Sequence, residues 1–269
     1  MRIPQFQNVI WDWHKQNRRD LPWRNTNDPY AIMVSEIMLQ QTQVSRVLAK
    51  YAEFLDAFPA LESLARAPQR KLLKVWAGLG YWRRALYLQQ AAKIIVKKYG
   101  GKFPRDPKTL EQLPGIGHYT ARAIACFAFN TAEAFLDTNI RRVYIHFFFS
   151  KRKNVADKEI LALAKRALRK QEPKEWHYAL FDYGALALKD KKINRRSRHY
   201  AKQKKFEGSF RFFRTKIMRF LLEQPNQKAT VNKITRMIRK EESPYAAEKL
   251  LASLRKDGLI KKRGHSYSL

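Results

Sequence analysis

The stretch Leu113-Pro114-Gly115-Ile116-Gly117-His118-Tyr119-Thr120 decides how this chain is read, together with the apolar helical run Ala121 to Ala128 that follows it. Upstream, Asp106-Pro107 has the form of an N-cap with proline at the first helical position. Pro114-Gly115 stops that helix almost at once, so two helices joined by a very short hairpin are predicted. The glycines let an anion approach the backbone, and the second helix opens with free N–H groups at the positive end of its dipole. Such a turn holds an anion without a charged side chain. Taken alone, Pro114-Gly115 would mark an ordinary turn; the length of the run makes it specific.

Composition narrows the ligand. The chain has 269 residues, 45% of them hydrophobic, enough for one or two domains with a real core. Its formal charge of +32, from 55 Lys and Arg against 23 Asp and Glu, exceeds what solubility requires and points to a polyanion. A saline or hot habitat, or a ribosome-like structural role, would also produce such a charge. No apolar run is long enough to span a bilayer, and Met1-Arg2-Ile3-Pro4-Gln5 does not begin a signal peptide. An intracellular, cytoplasmic protein is therefore expected, with nucleic acid rather than membrane as partner. Cys126 is the single cysteine and reads as a small core residue. The histidines have no paired ligand spacing, so no metal is expected.

The rest of the chain is predicted to be almost wholly helical. Asp28-Pro29 starts a helix reaching about Gln41, apolar on nearly every side, with Glu36 inside it. A second helix follows the break at Thr42, shorter ones flank Pro68, and a longer one runs from Tyr81 to the Gly100-Gly101 stop. Asp137 stands as an N-cap before Ile140, Val143, Tyr144 and Phe147, which share one helix face. From Lys189 to Lys205 lysine and arginine dominate, giving a basic linker or surface loop over 189–208. Residues 209–269 read as three helices and a small terminal hairpin around Gly264, the pattern of a winged helix that binds either DNA or a protein.

Two carboxylates have surroundings that should separate their pKa values. Glu36, on an apolar helix, should be raised by desolvation; Asp137, accepting backbone N–H groups at a helix start, should be lowered. One can donate a proton while the other stays ionised. Such a pair suits glycosidic bond cleavage through an oxocarbenium-like transition state. Singly, Asp137 could be only a cap and Glu36 only a salt-bridged core residue.

Five blocks in order add to this reading: Leu21-Pro22-Trp23-Arg24, Ser35-Glu36-Ile37-Met38-Leu39-Gln40-Gln41-Thr42-Gln43-Val44, Gly78-Leu79-Gly80-Tyr81, the Leu113 to Thr120 run, and Leu136-Asp137-Thr138-Asn139. The Leu113 to Thr120 run resembles the helix-hairpin-helix clamp on the DNA backbone. Together the blocks resemble the adenine DNA glycosylase (MutY) family of the helix-hairpin-helix DNA glycosylase superfamily, over about residues 1–188. The resemblance implies an all-α fold, two helical subdomains flanking an active-site cleft (about 29–131, and 1–28 plus 132–188), followed here by a winged-helix-like domain. It implies removal of adenine opposite 8-oxoguanine or guanine by a monomer acting on double-stranded DNA with a mispaired or damaged base. Glu36 matches the acid that protonates adenine, Asp137 the carboxylate facing the sugar cation, and Asn139 its support. Tyr119 stands where lyase-type relatives carry a nucleophilic lysine, so no lyase activity is implied. Arg19, Trp23 and Arg24 match the base-pocket wall, and Gln41 and Tyr81 the side chains that wedge into the stack when the base flips. Gly115, Gly117 and Thr120 would bind the DNA backbone, as would Arg195, Arg196 and Arg198 of the basic run.

The resemblance departs in two places. The family's four iron–sulfur cysteines would follow Leu188, where there are none, so no cofactor is expected. Its 8-oxoguanine-recognising C-terminal domain has no counterpart in the winged-helix-like segment. Removal of thymine or uracil opposite guanine is the alternative activity, and an inactive DNA-binding or architectural protein the alternative class.

Overall fold

A computed structural model describes residues 1–188, 192–202 and 205–269. In chain order its helices are α1 (Ile3–Asn17), α2 (Pro29–Leu39), α3 (Val44–Ala57), α4 (Leu61–Arg66), α5 (Gln69–Trp76), α6 (Arg83–Tyr99), α7 (Pro107–Glu111) and α8 (His118–Phe129). They continue with α9 (Thr138–Phe148), α10 (Asp157–Arg166), α11 (Pro173–Asp182), α12 (Phe210–Glu223), α13 (Val231–Lys240) and α14 (Ala247–Lys256). Three short strands, β1 (Lys228–Thr230), β2 (Lys261–Arg263) and β3 (Ser266–Ser268), form one antiparallel sheet in the order β1-β3-β2. Among the described residues no helix is long and apolar enough to cross a membrane.

The helices form two compact units, each assembled from separated parts of the chain. The first comprises residues 1–36 and 103–202. In it α9 and α11 form the centre, with α1, α8 and α10 packed on them. Phe6 of α1 is fully buried, 5.2 Å from the ring of Tyr144 and edge-on to Trp176 at 5.9 Å. The predicted hairpin is here. Asp106 caps α7 by accepting from the Thr109 N–H at 2.9 Å, and Gly115 takes the left-handed conformation that the turn into α8 needs (φ 77°).

The second unit comprises residues 37–102 and 203–269. Phe54, Phe58 and Trp76 build its core among α3, α5 and α6. The C-terminal helices belong to this same unit. Gln69 Nε2 donates to the Gly258 carbonyl at 2.9 Å, and Asp257 pairs with both Arg83 and Arg214. This differs from the expected division, in which 209–269 stood apart and a subdomain ran from 29 to 131. Leu259 and Ile260 are each 1% exposed, and a Cβ at the preceding Gly258 would lie 3.8 Å from Leu86 Cδ1 of α6. The strand β1, which pairs with β3, was also not foreseen; three residues are too few to show alternation.

The basic run is not a free linker. Lys189, Lys191 and Lys204 lie outside the described residues, but 192–199 is packed into the first unit. Ile193 and Asn194 are buried in a 3-10 turn, Ser197 bridges to Val155, and Arg198 N donates to the Val155 carbonyl at 2.9 Å. Arg142 of α9 holds the approach, donating to the carbonyls of Gly184 (2.6 Å) and Leu188 (2.9 Å) and to Asn194 Oδ1 (3.3 Å). Counting charges along the run could not reveal the single Ile and Asn that anchor it.

Candidate active site

In the first unit three elements meet at Glu36. It sits on α2, 5% exposed, because Tyr30, Met33 and Ile37 carry that helix into the core. Tyr119, on the first turn of α8, donates its hydroxyl to Glu36 Oε2 at 3.1 Å. Asp137 caps α9: its Oδ1 accepts the Ile140 N–H at 2.6 Å, and its Oδ2 accepts from Asn139 Nδ2 at 3.0 Å. Both contacts at Asp137 are local, as N-cap chemistry requires.

Burial pushes the Glu36 carboxyl up to about 7, against the Tyr119 hydrogen bond and the Arg24 charge that favour its ionised form; the negative charge of Asp137 adds to the rise. Glu36 is thus a proton donor near neutrality. Asp137 corrects the expectation. Burial raises its pKa too, outweighing the N–H groups of Ile140 and Asn139, the Arg141 charge and the Asn139 amide. The cap donors were legible in the sequence, but the depth of the floor on which they lie was not. Asp137 keeps some solvent contact, and its ionised form is costly there until a cation arrives. The same desolvation makes it a strong partner for positive charge developing beside it. Burial and the neighbouring carboxylates hold the Tyr119 phenol protonated, so it donates to Glu36 and offers no nucleophile.

Of the expected base-pocket residues, Trp23 and Arg24 are both 4% exposed, and Arg24 acts on Glu36 through its charge. Arg24 is held by a residue the sequence reading missed. Asp182, at the end of α11 and fully buried, takes both Arg24 terminal nitrogens (2.7 and 2.8 Å) and the Arg19 Nε (2.6 Å). Burial alone would raise Asp182, but Arg24 and Arg19 keep it lowered and ionised. The Arg24 guanidinium also lies 4.4 Å over the Tyr178 ring. An aspartate in the apolar run Ala179-Leu180-Phe181-Asp182-Tyr183 was the available signal. Gly184 was missed as well: a Cβ there would fall 2.5 Å from the Asn139 carbonyl oxygen, so only glycine lets this turn lie against the residue that steadies Asp137.

Among the residues assigned to the DNA backbone, Gly117 caps α8 with open space around it, whereas the Thr120 side chain is buried and faces the core. Arg195 and Arg198 are exposed; Arg196 instead donates to the carbonyls of Ser150 (2.7 Å) and Phe149 (3.5 Å), closing the end of α9. Gln41 and Tyr81 lie in the second unit, both with positive φ (56° and 45°). The buried Arg84 holds their turns, donating to the carbonyls of Ile37 (2.8 Å), Met38 (2.9 Å), Leu79 (3.2 Å) and Gly80 (3.3 Å). An iron–sulfur cluster does not fit this chain. Its one thiol, Cys126, is fully buried in α8 with its pKa pushed up to about 12 by burial, and no group of acidic, His and Cys side chains among the described residues could hold a metal ion.

Residues 34–170 match the model of the HhH-GPD superfamily of base excision DNA repair proteins. The chain is 39% identical over 186 residues to an adenine DNA glycosylase of Buchnera aphidicola, covering 67% of this chain and 52% of that one. It is 35% identical over 195 residues to the human adenine DNA glycosylase, covering 68% and 36%. It thus spans about half the length of the first relative and less of the second. Among solved structures, a thermostable thymine-DNA glycosylase is similar with a TM-score of 0.62 and 30% identity, over 68% of this chain and 86% of that one. An endonuclease III–DNA complex shares the fold with a TM-score of 0.59 at 18% identity, over 69% and 87%. The hairpin, the carboxylate-bearing helices and these likenesses agree: the chain belongs to the HhH-GPD superfamily of base excision DNA repair proteins.

Proposed function

We propose that this chain is a monofunctional DNA glycosylase, acting as a monomer on double-stranded DNA to remove adenine mispaired with 8-oxoguanine or guanine. The observation that carries the reading is Glu36, buried, protonated to about pH 7 and hydrogen-bonded by Tyr119, in electrostatic contact with an Asp137 steadied by Asn139. The adenine DNA glycosylases to which the chain is similar support the choice of base.

Glu36 delivers its proton to the adenine ring as the bond from the sugar C1′ to N9 breaks, and the bonding electrons leave with a neutral base. Asp137 meets the positive charge left on the sugar. Water adds to C1′ and loses a proton to the Glu36 carboxylate, giving free adenine and an abasic site. Tyr119 carries no amine, so no Schiff base forms and the strand stays intact. Arg19, Trp23 and Arg24 wall the base, while Gln41 and Tyr81 fill the stack it leaves. The structural likeness to a thymine-DNA glycosylase favours a second reading, thymine or uracil opposite guanine. Duplexes carrying A, T or U opposite G or 8-oxoguanine, treated with alkali after incubation, separate the two. Release of adenine is expected; release of T or U alone overturns the reading, and breakage without alkali contradicts the role of Tyr119.

The acid role sets a pH profile. Glu36 acts in its protonated form, so single-turnover release should fall as pH rises through about 7, nearing tenfold per unit beyond it, and fall again on the acid side as Asp137, its pKa raised by burial, takes up a proton. Quenched time courses between pH 5 and 9 measure this. A rate that climbs through the same window removes Glu36 as the acid.

The hairpin N–H groups around Gly115 and Gly117, with Arg195 and Arg198, grip phosphate in this reading. Replacing Arg195 and Arg198 by alanine should weaken matched and mismatched duplexes alike and flatten the plot of log affinity against log salt by about two units, at roughly 0.9 per phosphate. Adding Arg196→Ala should act mainly on stability, costing about 1 kcal/mol for the hydrogen bond to the Ser150 carbonyl that is lost. An unchanged slope in the double variant makes the run structural only.

A further inference from the structure

Arg141 stands one helical turn after Asp137, a spacing at which an acid and the base that follows it ordinarily pair along the helix face. Here that pair does not form. The Arg141 guanidinium comes only as near as the Asp137 backbone carbonyl, with Nη1 at 3.5 Å. The Asp137 carboxylate takes the Ile140 N–H and the Asn139 amide instead, and no ion pair joins it to Arg141 among the described residues.

The guanidinium is drawn elsewhere. Arg141 Nε and Nη2 each meet one oxygen of Asp157, both at 2.7 Å, across 16 positions of the chain. This two-pronged, charge-assisted arrangement is one of the strongest pairings available to a guanidinium. It holds Asp157 below the usual carboxylate range, so Asp157 stays ionised at the pH where Glu36 acts. With 19% of the Arg141 side chain exposed and 34% of that of Asp157, water and salt screen the pair only in part.

Asp157 opens α10, and the segment that follows Leu188 fixes where it stands. Val155, two residues earlier and fully buried, gives its N–H to the Arg196 carbonyl at 2.8 Å and accepts the Arg198 N–H at 2.9 Å. Arg198 Nε adds Asn154 Oδ1 at 3.3 Å, and the His199 charge favours the ionised form of Asp157. A continuous set of contacts thus runs from residues 196–199 through Asp157 and Arg141 to the helix that Asp137 caps.

We propose that Asp157 is a positioning residue: it draws the Arg141 guanidinium off the Asp137 carboxylate, leaving that carboxylate free to face the sugar cation. The proposal rests on the glycosylase reading for what Asp137 does. Distance decides the balance. Where it is held, the Arg141 charge favours ionised Asp137 against the burial that opposes it. In direct contact it would do so more strongly, but a carboxylate already paired with a guanidinium has its charge cancelled where the sugar needs it. Asp157 keeps the first effect and prevents the second. From the other elements, Glu36 on α2 and Tyr119 on α8 also act on Asp137, and neither brings a positive charge.

The test uses Asp157→Ala, Arg141→Met and the two together, with Asp157→Asn as a variant that keeps the shape of the side chain. Single-turnover base release at saturating enzyme is followed between about pH 4 and 9 on the duplex that the parent chain processes fastest. Asp157→Ala should lower the maximal rate on the order of tenfold or more, because the freed guanidinium closes on Asp137. Its acid-side fall in rate should move to lower pH, because that contact loosens the Asp137 proton. Asp157→Asn should shift both in the same direction and by less. Arg141→Met should move the acid-side fall the other way, since burial then acts without that opposing charge. The double variant should follow Arg141→Met and recover most of the rate lost in Asp157→Ala. Damage to the fold alone would lower the rate without moving the acid-side fall. An acid-side fall unmoved in both Asp157 variants, or a double variant no faster than Asp157→Ala, overturns the proposal. A crystal structure of Asp157→Ala gives a readout independent of turnover: the guanidinium should lie against the Asp137 carboxylate, and one that stays off it overturns the proposal as well. A parent chain that releases no base from any duplex refutes the glycosylase reading, whereas the crystal structure still decides whether Asp157 holds Arg141 away.

Discussion

Glu36→Gln should lower single-turnover adenine release by about 10²- to 10⁴-fold, the range that a positioned general acid contributes, with affinity for the mispaired duplex nearly unchanged. Glutamine keeps the shape and can still accept from the Tyr119 hydroxyl, but it has no proton to give. The same substitution should stabilise the protein, which separates lost chemistry from lost fold. The folded-state pKa of Glu36, about 7, lies above its ordinary 4.5. Between these values the folded state binds more protons than the unfolded one, so stability falls as pH rises through that window and levels off above it. Ionising the buried carboxyl costs ~3 kcal/mol at pH 8, from about 2.5 pKa units at 1.36 kcal/mol each. Urea denaturation of the two proteins should coincide near pH 4 and diverge in favour of Glu36→Gln toward pH 8. Near-normal turnover in the variant would remove the acid assignment, and equal stability at pH 8 would place the carboxyl in contact with water. Asp137→Asn should lose activity on a similar scale, since a neutral amide does not stabilise the sugar cation.

Asp182→Ala should destabilise the first unit by ~3–5 kcal/mol, the cost of removing one partner of a buried, hydrogen-bonded ion pair. Four contacts end on this carboxylate: two from the Arg24 guanidinium, one from Arg19 Nε and one from the Arg19 N–H at 3.1 Å. Without it, Arg24 is left charged and buried, its side chain only 2% exposed. The arginine also loses the anchor that keeps it over Tyr178 and within reach of Glu36. Base release should therefore fall even where the folded population is restored by lower temperature. The shift in urea midpoint measures the first effect, and turnover at 10 °C the second. A change below 1 kcal/mol would mean that water replaces the carboxylate at Arg24.

Elements governed by neighbours within one helical turn were legible in the sequence. The hairpin from Asp106 to Thr120 was, because an N-cap, a proline and a left-handed glycine act on backbone groups a few residues away. Asp137 was placed as a cap for the same reason, and Glu36 as a desolvated acid because its own helix is apolar all round. Tertiary structure alone decided what depends on distant partners. Asp182 meets Arg24 across 158 positions, and Tyr119 meets Glu36 across 83. No periodicity reports such pairs. The direction of the Asp137 shift also had to come from the fold: its donors are local, but the depth that outweighs them is built by helices elsewhere in the chain. The place of the C-terminal segment followed the same logic. Nothing local to residues 209–269 shows that they join residues 37–102 in one unit; the ties that do so, Gln69 to the Gly258 carbonyl and Arg83 to Asp257, span more than 170 positions.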